Sequence, residues 1–334
     1  MRFASIDGLR AVSVGLVLLH HLALSAAAGP PAPALYRLGQ LGVTTFFVIS
    51  GFVICRGLLR ERETRGRISL ASFYLRRCAR ILPPLLLLLA TLTVASHAGW
   101  IEHAEWDSLR AIAFTCNLGA LLGDCGWSVG HTWTLAFEEQ FYIVFPLLLM
   151  WMPRAALAML LLGIVPAMTV LLHLAGWGGA SRFTANLVPI AYGVCLAFAL
   201  PASRSVELRH RELFVALPLV LSIVLVAMPI EGRAMTALRL FLVPGLISVA
   251  VGALTLGASA TGRLLSLPIM VWLGRISYGI YLWQQPLLPP HLQATPAAYA
   301  IRIGLCLVLA SLSHRFVERR LITWAQRRTL AADA

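Results

Sequence analysis

Apolar residues in this chain come in long unbroken runs rather than in stripes. A surface helix of a soluble domain would return a polar residue every three or four positions, and a half-buried strand every second one. Here stretches of 15 to 23 residues pass with almost no charge, closed by turns rich in arginine, proline or glycine. A run of about 20 apolar residues is the length that crosses the hydrocarbon of a bilayer as a helix. Ten such spans are predicted, at about 9–28, 38–56, 81–98, 132–152, 155–175, 186–200, 212–230, 237–258, 268–290 and 297–317. The sixth is the shortest and is interrupted by Pro189 and Gly193. Another apolar stretch, Leu109–Leu122, is broken by Asn117 and bounded by Asp107 and Asp124, which predicts an interfacial segment.

Composition narrows the class. Of 334 residues 59% are hydrophobic and 12% charged, with a mean hydropathy of +0.81. A soluble chain of this size could not hide so much apolar surface, and a disordered one would not carry it. The expected fold is an all-α polytopic membrane protein of about ten transmembrane helices, forming one membrane domain over residues 1–334 with no appended soluble domain. Met1–Ala34 also has the look of a signal peptide, with Arg2 and Arg10, an apolar Ala11–Leu19 run and a Ser25-Ala-Ala-Ala-Gly stretch. Asp7 and the His20-His21 pair argue against a disposable segment.

The net charge of +13 would suggest nucleic acid in a soluble protein, but here it reports orientation. All 27 basic residues are arginine. With the N-terminus in the cytoplasm, 21 of them fall on the inner side, including Arg2, Arg10, the run from Arg56 to Arg80, Arg204, Arg209 and Arg315 to Arg328. Arg37, Arg110, Arg182, Arg233, Arg239 and Arg302 are left outside. Both termini are therefore expected to be cytoplasmic, with a bacterial inner membrane as the location. Cys116 and Cys125 share the long outer loop between spans three and four, where an oxidising compartment would permit a disulfide. The other four cysteines lie in spans or on the inner side.

Ionisable groups inside spans are costly and point to function. Arg10 and His21 are eleven residues apart, three helical turns plus about 20°, so they share a face and lie roughly 16 Å apart along the axis. His21 falls just past mid-depth, where an imidazole can exchange a proton near neutral pH. Arg76, Arg77 and Arg80 open the third span, and Arg77 and Arg80, three apart, are helix neighbours whose guanidinium forks suit phosphate. At the start of span four, His131-Thr-Trp-Thr-Leu-Ala-Phe-Glu-Glu-Gln places Glu138 and Glu139 roughly 10 Å along the helix from His131. Two adjacent carboxylates cannot face one cavity; Glu138 is the candidate to orient His21. Span nine opens with Ser277, Tyr278, Tyr281 and Trp283, and Gln284 and Gln285 lie deeper. His, Cys and carboxylates never recur at metal-ligand spacing, and neither a phosphate-cradling glycine loop nor a GxSxG turn is present.

Taken together, Ile6-Asp-Gly-Leu-Arg-Ala-Val…His21, Gly42-Val-Thr-Thr-Phe-Phe-Val-Ile-Ser-Gly-Phe, the Arg77/Arg80 run, Trp133-Thr-Leu-Ala-Phe-Glu-Glu-Gln-Phe-Tyr and Ile276-Ser-Tyr-Gly-Ile-Tyr-Leu-Trp resemble the acyltransferase-three family of integral membrane O-acyltransferases. These segments occur in the family's order and cover nearly the whole chain. The resemblance implies transfer of an acyl group, usually acetyl from acetyl-CoA, to a hydroxyl of a carbohydrate or glycolipid across the membrane. On that reading Arg77, Arg80 and Arg76 hold the CoA donor. His21 is base or acyl carrier, and Arg10 and Glu138 support it. Where many members carry histidine after the span-nine tryptophan, this chain has Gln284. It also ends without the SGNH-type hydrolase domain that some members append. A proton-coupled transporter or flippase of a lipid-linked glycan, with His21 and Glu138 as relay, is the rival reading, and a non-catalytic assembly subunit a third.

Overall fold

The computed structural model of the protein describes residues 3–27, 32–200, 210–290 and 292–332. Arg2, Arg204 and Arg209 of the orientation count, and Ala28 and Gly29 of the signal-like stretch, lie outside the described residues. Among the described residues there are helices and connecting turns and no strands. In chain order the helices are α1 (Ala4–Ala26), α2 (Pro33–Arg65), α3 (Leu70–His97), α4 (Glu105–Ile112), α5 (Gly119–Leu122), α6 (Trp127–Gly130) and α7 (Trp133–Trp151). Then come α8 (Arg154–Met159), which runs through a π turn at Leu160–Ile164 into α9 (Val165–Leu174), and α10 (Gly178–Ala199). After α11 (Arg211–Ala227), α12 (Arg233–Leu256), α13 (Ala260–Leu265), α14 (Pro268–Arg275) and α15 (Ser277–Leu287), α16 (Pro296–Ser313) runs through a second π turn at His314–Glu318 into α17 (Arg319–Ala332).

Among the described residues, seven helical stretches are long and apolar enough to cross a membrane: α1, α2, α3, α8–α9, α10, α12 and α16–α17. Helix also occupies the other three predicted stretches. There, α7 carries the polar Glu138-Glu139-Gln140 run, α11 has 17 residues, and the ninth stretch is divided at Ile276 into α14 and α15. Large apolar side chains such as Leu86, Leu87, Leu162, Leu171, Leu217 and Val220 are exposed on these helices, as a lipid-facing surface requires. The second and third helices outrun their apolar cores. With 33 residues α2 is about 50 Å long, more than the roughly 30 Å of hydrocarbon, and its last turns carry Arg60, Arg62 and Arg65. It ends at Gly66, whose φ of 71° is the left-handed conformation that glycine adopts without strain. Ser69 then caps α3, its hydroxyl accepting from the Ser72 amide at 3.3 Å.

The helices fall into two compact units interleaved in sequence. The first comprises Met1–His20, Pro31–Ile68 and Phe141–Gly274, and is held by close backbone approaches. In it α2 lies along α10: a Cβ at Gly51 would fall on the Ile190 carbonyl, and one at Gly193 on the Val48 carbonyl. Gly42 admits the Ser13 carbonyl of α1 in the same way, and Gly8 the Leu265 carbonyl. Such contacts suit a bilayer, where lipid leaves no hydrophobic force between helices and close packing must drive association. Leu9, Val14 and Val17 of α1 are buried in this unit. Two of the arginines expected outside have local tasks here. Arg37 donates to the Val226 and Met228 carbonyls and pairs with Glu231 at 2.6 Å, while Arg239 donates to Leu225, Met228 and Ile230. Together they satisfy the carbonyls left open at the end of α11.

The second unit comprises His21–Pro30, Ser69–Gln140 and Arg275–Ala334. Here α15 packs against α16, α3 and α6, and α17 against α3. Gly279 sits so close to Ala310 that a Cβ would approach its Cα to 2.9 Å. The segment predicted to be interfacial, Leu109–Leu122, holds the end of α4 and all of α5, and with α6 it is tied in three ways. Cys116 and Cys125 are disulfide-bonded. Asn117 Nδ2 donates to Gln140 Oε1 at 2.8 Å, and Gln140 Nε2 donates to the Phe114 carbonyl at 3.0 Å. His103 bridges Ser128 and Ser108 through its two ring nitrogens at 2.8 and 2.7 Å. Burial lowers the His103 pKa, and nearby Asp107 pulls it back up.

Candidate functional site

The third helix begins eleven residues before its predicted apolar span, so Arg76, Arg77 and Arg80 all sit on regular helix. That continuity places Arg77 and Arg80 on one face. Arg77 lies over the Phe73 ring at 5.8 Å and faces Glu139 of α7. Pro83 and Pro84 follow within the helix and remove the amide donors that would reach the Ala79 and Arg80 carbonyls. Tyr278 of α15 braces this turn, its hydroxyl donating to the Ile81 carbonyl at 2.9 Å. Around the Tyr278 ring stand Glu138, Glu139, Glu318 and Arg80. The buried Glu318 is held in turn by Ser313 and His314 at the π turn, with His314 Nδ1 3.2 Å away. Charges from α3, α7 and the α16–α17 helix thus gather around one buried phenol.

Further along α7 and α15 the surroundings turn neutral. His131, in the turn between α6 and α7, is buried, and its ring meets Tyr281 edge-on at 5.2 Å. Tyr281 donates to the His131 carbonyl at 2.6 Å, and its hydroxyl lies 2.7 Å from Thr134 Oγ1. His131 faces His21, Gln285 and the backbone at Leu282. The His21 ring meets Trp127 edge-on at 5.8 Å, and Trp127 Nε1 donates to the Gln285 carbonyl at 2.8 Å. His21, Trp127, His131 and Gln285 therefore form one neighbourhood within the second unit.

The predicted site residues are distributed unevenly. His21, Arg76, Arg77, Arg80 and Glu138 all belong to the second unit, whereas Arg10 belongs to the first. Arg10 is joined to His21 by α1 and lies over the Phe46 ring of α2 at 5.9 Å. Neighbouring His20 is a packing residue: its ring meets Tyr36 edge-on at 5.5 Å and fills the space over Gly39. Three residues were not singled out as site residues from sequence. Glu139 is the carboxylate that faces Arg77, His131 stands beside His21, and Trp127 links His21 to α15. Adjacency of the two glutamates hid the first. Trp127 opens and His131 caps the short α6 helix, which no hydropathy pattern announces.

This arrangement offers an anion-attracting arginine face and, on α1, a histidine set among aromatic and amide groups. Among the described residues no group of three or more His, Cys, Asp or Glu could hold a metal ion. Comparison with known proteins gives the class: residues 3–325 match the family model for the acyltransferase-three acyltransferase domain, and the chain belongs to that family. Several relatives are named for O-acetyl transfer. One from Staphylococcus aureus (strain COL) is 28% identical over 355 residues. The peptidoglycan O-acetyltransferase OatA of Listeria monocytogenes is 27% identical over 349 residues, and the O-acetyltransferase OatA of Staphylococcus aureus (strain NCTC 8325) 27% over 355. Each alignment takes in 94% of this chain and 55 to 56% of the relative, so the chain spans about half the length of these proteins. No solved structure matches the chain.

Proposed function

We propose that this protein is a membrane O-acetyltransferase that moves an acetyl group from cytoplasmic acetyl-CoA to a hydroxyl of a cell-surface or exported carbohydrate. The observation that carries this reading is the gathering of His21 and the Arg77/Arg80 face in one unit of a chain from this family. The names of its relatives supply the acetyl group and, in one case, a peptidoglycan acceptor. Ten spans with both termini on the cytoplasmic side complete the reading, in a bacterial inner membrane. The disulfide then lies on the oxidising side, as the orientation of the arginines requires.

On this reading Arg77, Arg80 and Arg76 bind the CoA phosphates through guanidinium forks, and Glu139 holds Arg77 in place when the nucleotide is absent. His21 accepts the proton of the acceptor hydroxyl as its oxygen attacks the thioester carbon. The C–S bond breaks, and the CoA thiolate recovers the proton as it leaves. Glu138 balances the charge that develops on the imidazole, and Arg10 holds the donor-side end of α1. Removing the base should lower transfer by about 10²–10⁴-fold. His21→Ala in reconstituted membranes, with radiolabelled acetyl-CoA and acceptor glycan, should therefore keep donor binding and lose acetyl transfer. Full activity in that variant sinks the mechanism. Normal glycan acetylation with impaired glycan export in a deletion strain sinks the whole reading in favour of a transporter.

A further inference from the structure

A second feature of the His21 neighbourhood has no place in the transfer scheme. The Gln285 side chain and the Leu282 backbone stand beside the His131 ring, but neither ring nitrogen completes a hydrogen bond of good geometry, and neither does Gln285 Oε1. The amide oxygen and nitrogen of Gln284, one position earlier on α15, are also without partners. Exposure of these side chains is low, 3% for His131, 5% for Gln285 and none for Gln284. Buried amides and imidazoles almost always find partners, because leaving one unmade costs the full desolvation of the group. Several in adjacent positions mark a place where another polar molecule completes the set.

The chemistry of the cluster is specific. An amide offers both a donor and an acceptor, and so does a neutral imidazole. Neither His131 nor Gln285 carries a formal charge when the imidazole is neutral, and full burial favours that form over the imidazolium. Such a set fits hydroxyl groups, which also donate and accept, better than phosphate or carboxylate. Location separates it from the arginines. Gln284 and Gln285 lie six and seven residues beyond Tyr278 on α15, roughly 9–10 Å along the helix from the turn that meets Arg80. The elements around it are α6 and the disulfide-bonded segment: Gly130 lies beside the Gln285 amide, where even a Cβ would stand 3.5 Å from Nε2. Through Trp127 the same cluster abuts His21.

We propose that His131 and Gln285 form the acceptor subsite, binding a neutral sugar through its hydroxyl groups and presenting one of them to His21. This rests on the acetyl-transfer reading and adds to it the place and chemical class of acceptor recognition. The test uses the full-length chain in proteoliposomes with radiolabelled acetyl-CoA, and as acceptor the envelope polysaccharide purified from a strain lacking the gene. Gln285→Met keeps an unbranched side chain of similar length and removes the amide. His131→Phe keeps a ring and removes both nitrogens. Each should raise the Michaelis constant for the polysaccharide about tenfold or more, with the constant for acetyl-CoA within twofold of wild type. That split is what loss of a hydrogen bond to the acceptor produces and a general packing defect does not. Should Gln285→Met fail to fold, His131→Phe carries the measurement. An unchanged acceptor constant in the folded variants, or an equal rise for acetyl-CoA, overturns the subsite while leaving acetyl transfer standing. A wild-type protein that transfers no label overturns the parent reading itself.

Discussion

Gly51 and Gly193 in the first unit and His131 and Gln285 in the second are all buried, yet they use the protein interior in different ways. In the first unit helix backbones touch, with α2 on α10 and α1 on α2, and side chains are dispensed with wherever backbones meet. Its Thr45, Ser13 and Ser222 hydroxyls turn inward to their own helices, each donating to the carbonyl four residues back at 2.8 Å. Ser248 Oγ is an exception, buried without a partner. In the second unit charged and amide groups are brought inside and only partly satisfied by the protein. One unit uses its interior for close packing, whereas the other accepts a cost in polar burial, which natural proteins tolerate chiefly where chemistry needs it.

If that contrast is real, substitutions should separate folding from activity along the same division. The largest effect is expected for Gly193→Val. Its new side chain would meet the Val48 carbonyl and the Phe52 amide, backbone that cannot move aside. Overpacking of that kind should cost at least about 3 kcal/mol, so that little folded protein survives in a detergent thermal-stability assay. A folded and active Gly193→Val protein would show that the close approach is incidental. Next, Cys125→Ser opens a short loop, and loss of such a cross-link should cost about 2–3 kcal/mol. Hydrogen exchange should register the loss in α4 to α6 and α15, with α2 and α10 unchanged; uniform loosening of both units would erase the comparison. Smallest in energy is Arg77→Lys, which keeps the charge and loses the fork. About tenfold weaker acetyl-CoA affinity, near 1.4 kcal/mol, is expected with stability held. A lysine that binds the donor as well as arginine would mean that Arg77 serves only to balance Glu139.

Much of this was legible in the order of residues. Hydropathy located helices in all ten predicted stretches, because a run of apolar side chains has few alternatives in lipid. Where helices end was less legible. Hydropathy measures what crosses the hydrocarbon, whereas helix propensity does not stop at an arginine, so α2 and α3 run on past their apolar cores. The break in the ninth stretch was invisible for another reason. It falls at Ile276, and two residues earlier a Cβ on Gly274 would collide with the Asp7 carbonyl of α1. That constraint comes from a residue more than 260 positions away. Among site residues, helical spacing found the Arg77/Arg80 face, and it set Arg10 and His21 in register on α1. Choosing between Glu138 and Glu139 required a neighbour, Arg77, that only the folded chain supplies.

The short hinge between α2 and α3 has a consequence for how the protein is made. Only Gly66 to Ser69 separate two long apolar helices. Arg60, Arg62, Arg65 and Arg67 crowd the hinge on one side, and Arg76, Arg77 and Arg80 follow on the other. Such a block of positive charge resists translocation, so in the proposed orientation it would keep the hinge at the side where synthesis takes place. The arginines assigned to the donor would thus act once during biogenesis, as a topological brake, before acting in catalysis. Neutralising several of them together would scramble insertion before it tested binding, which is why lysine at single positions is the substitution that keeps the two roles apart.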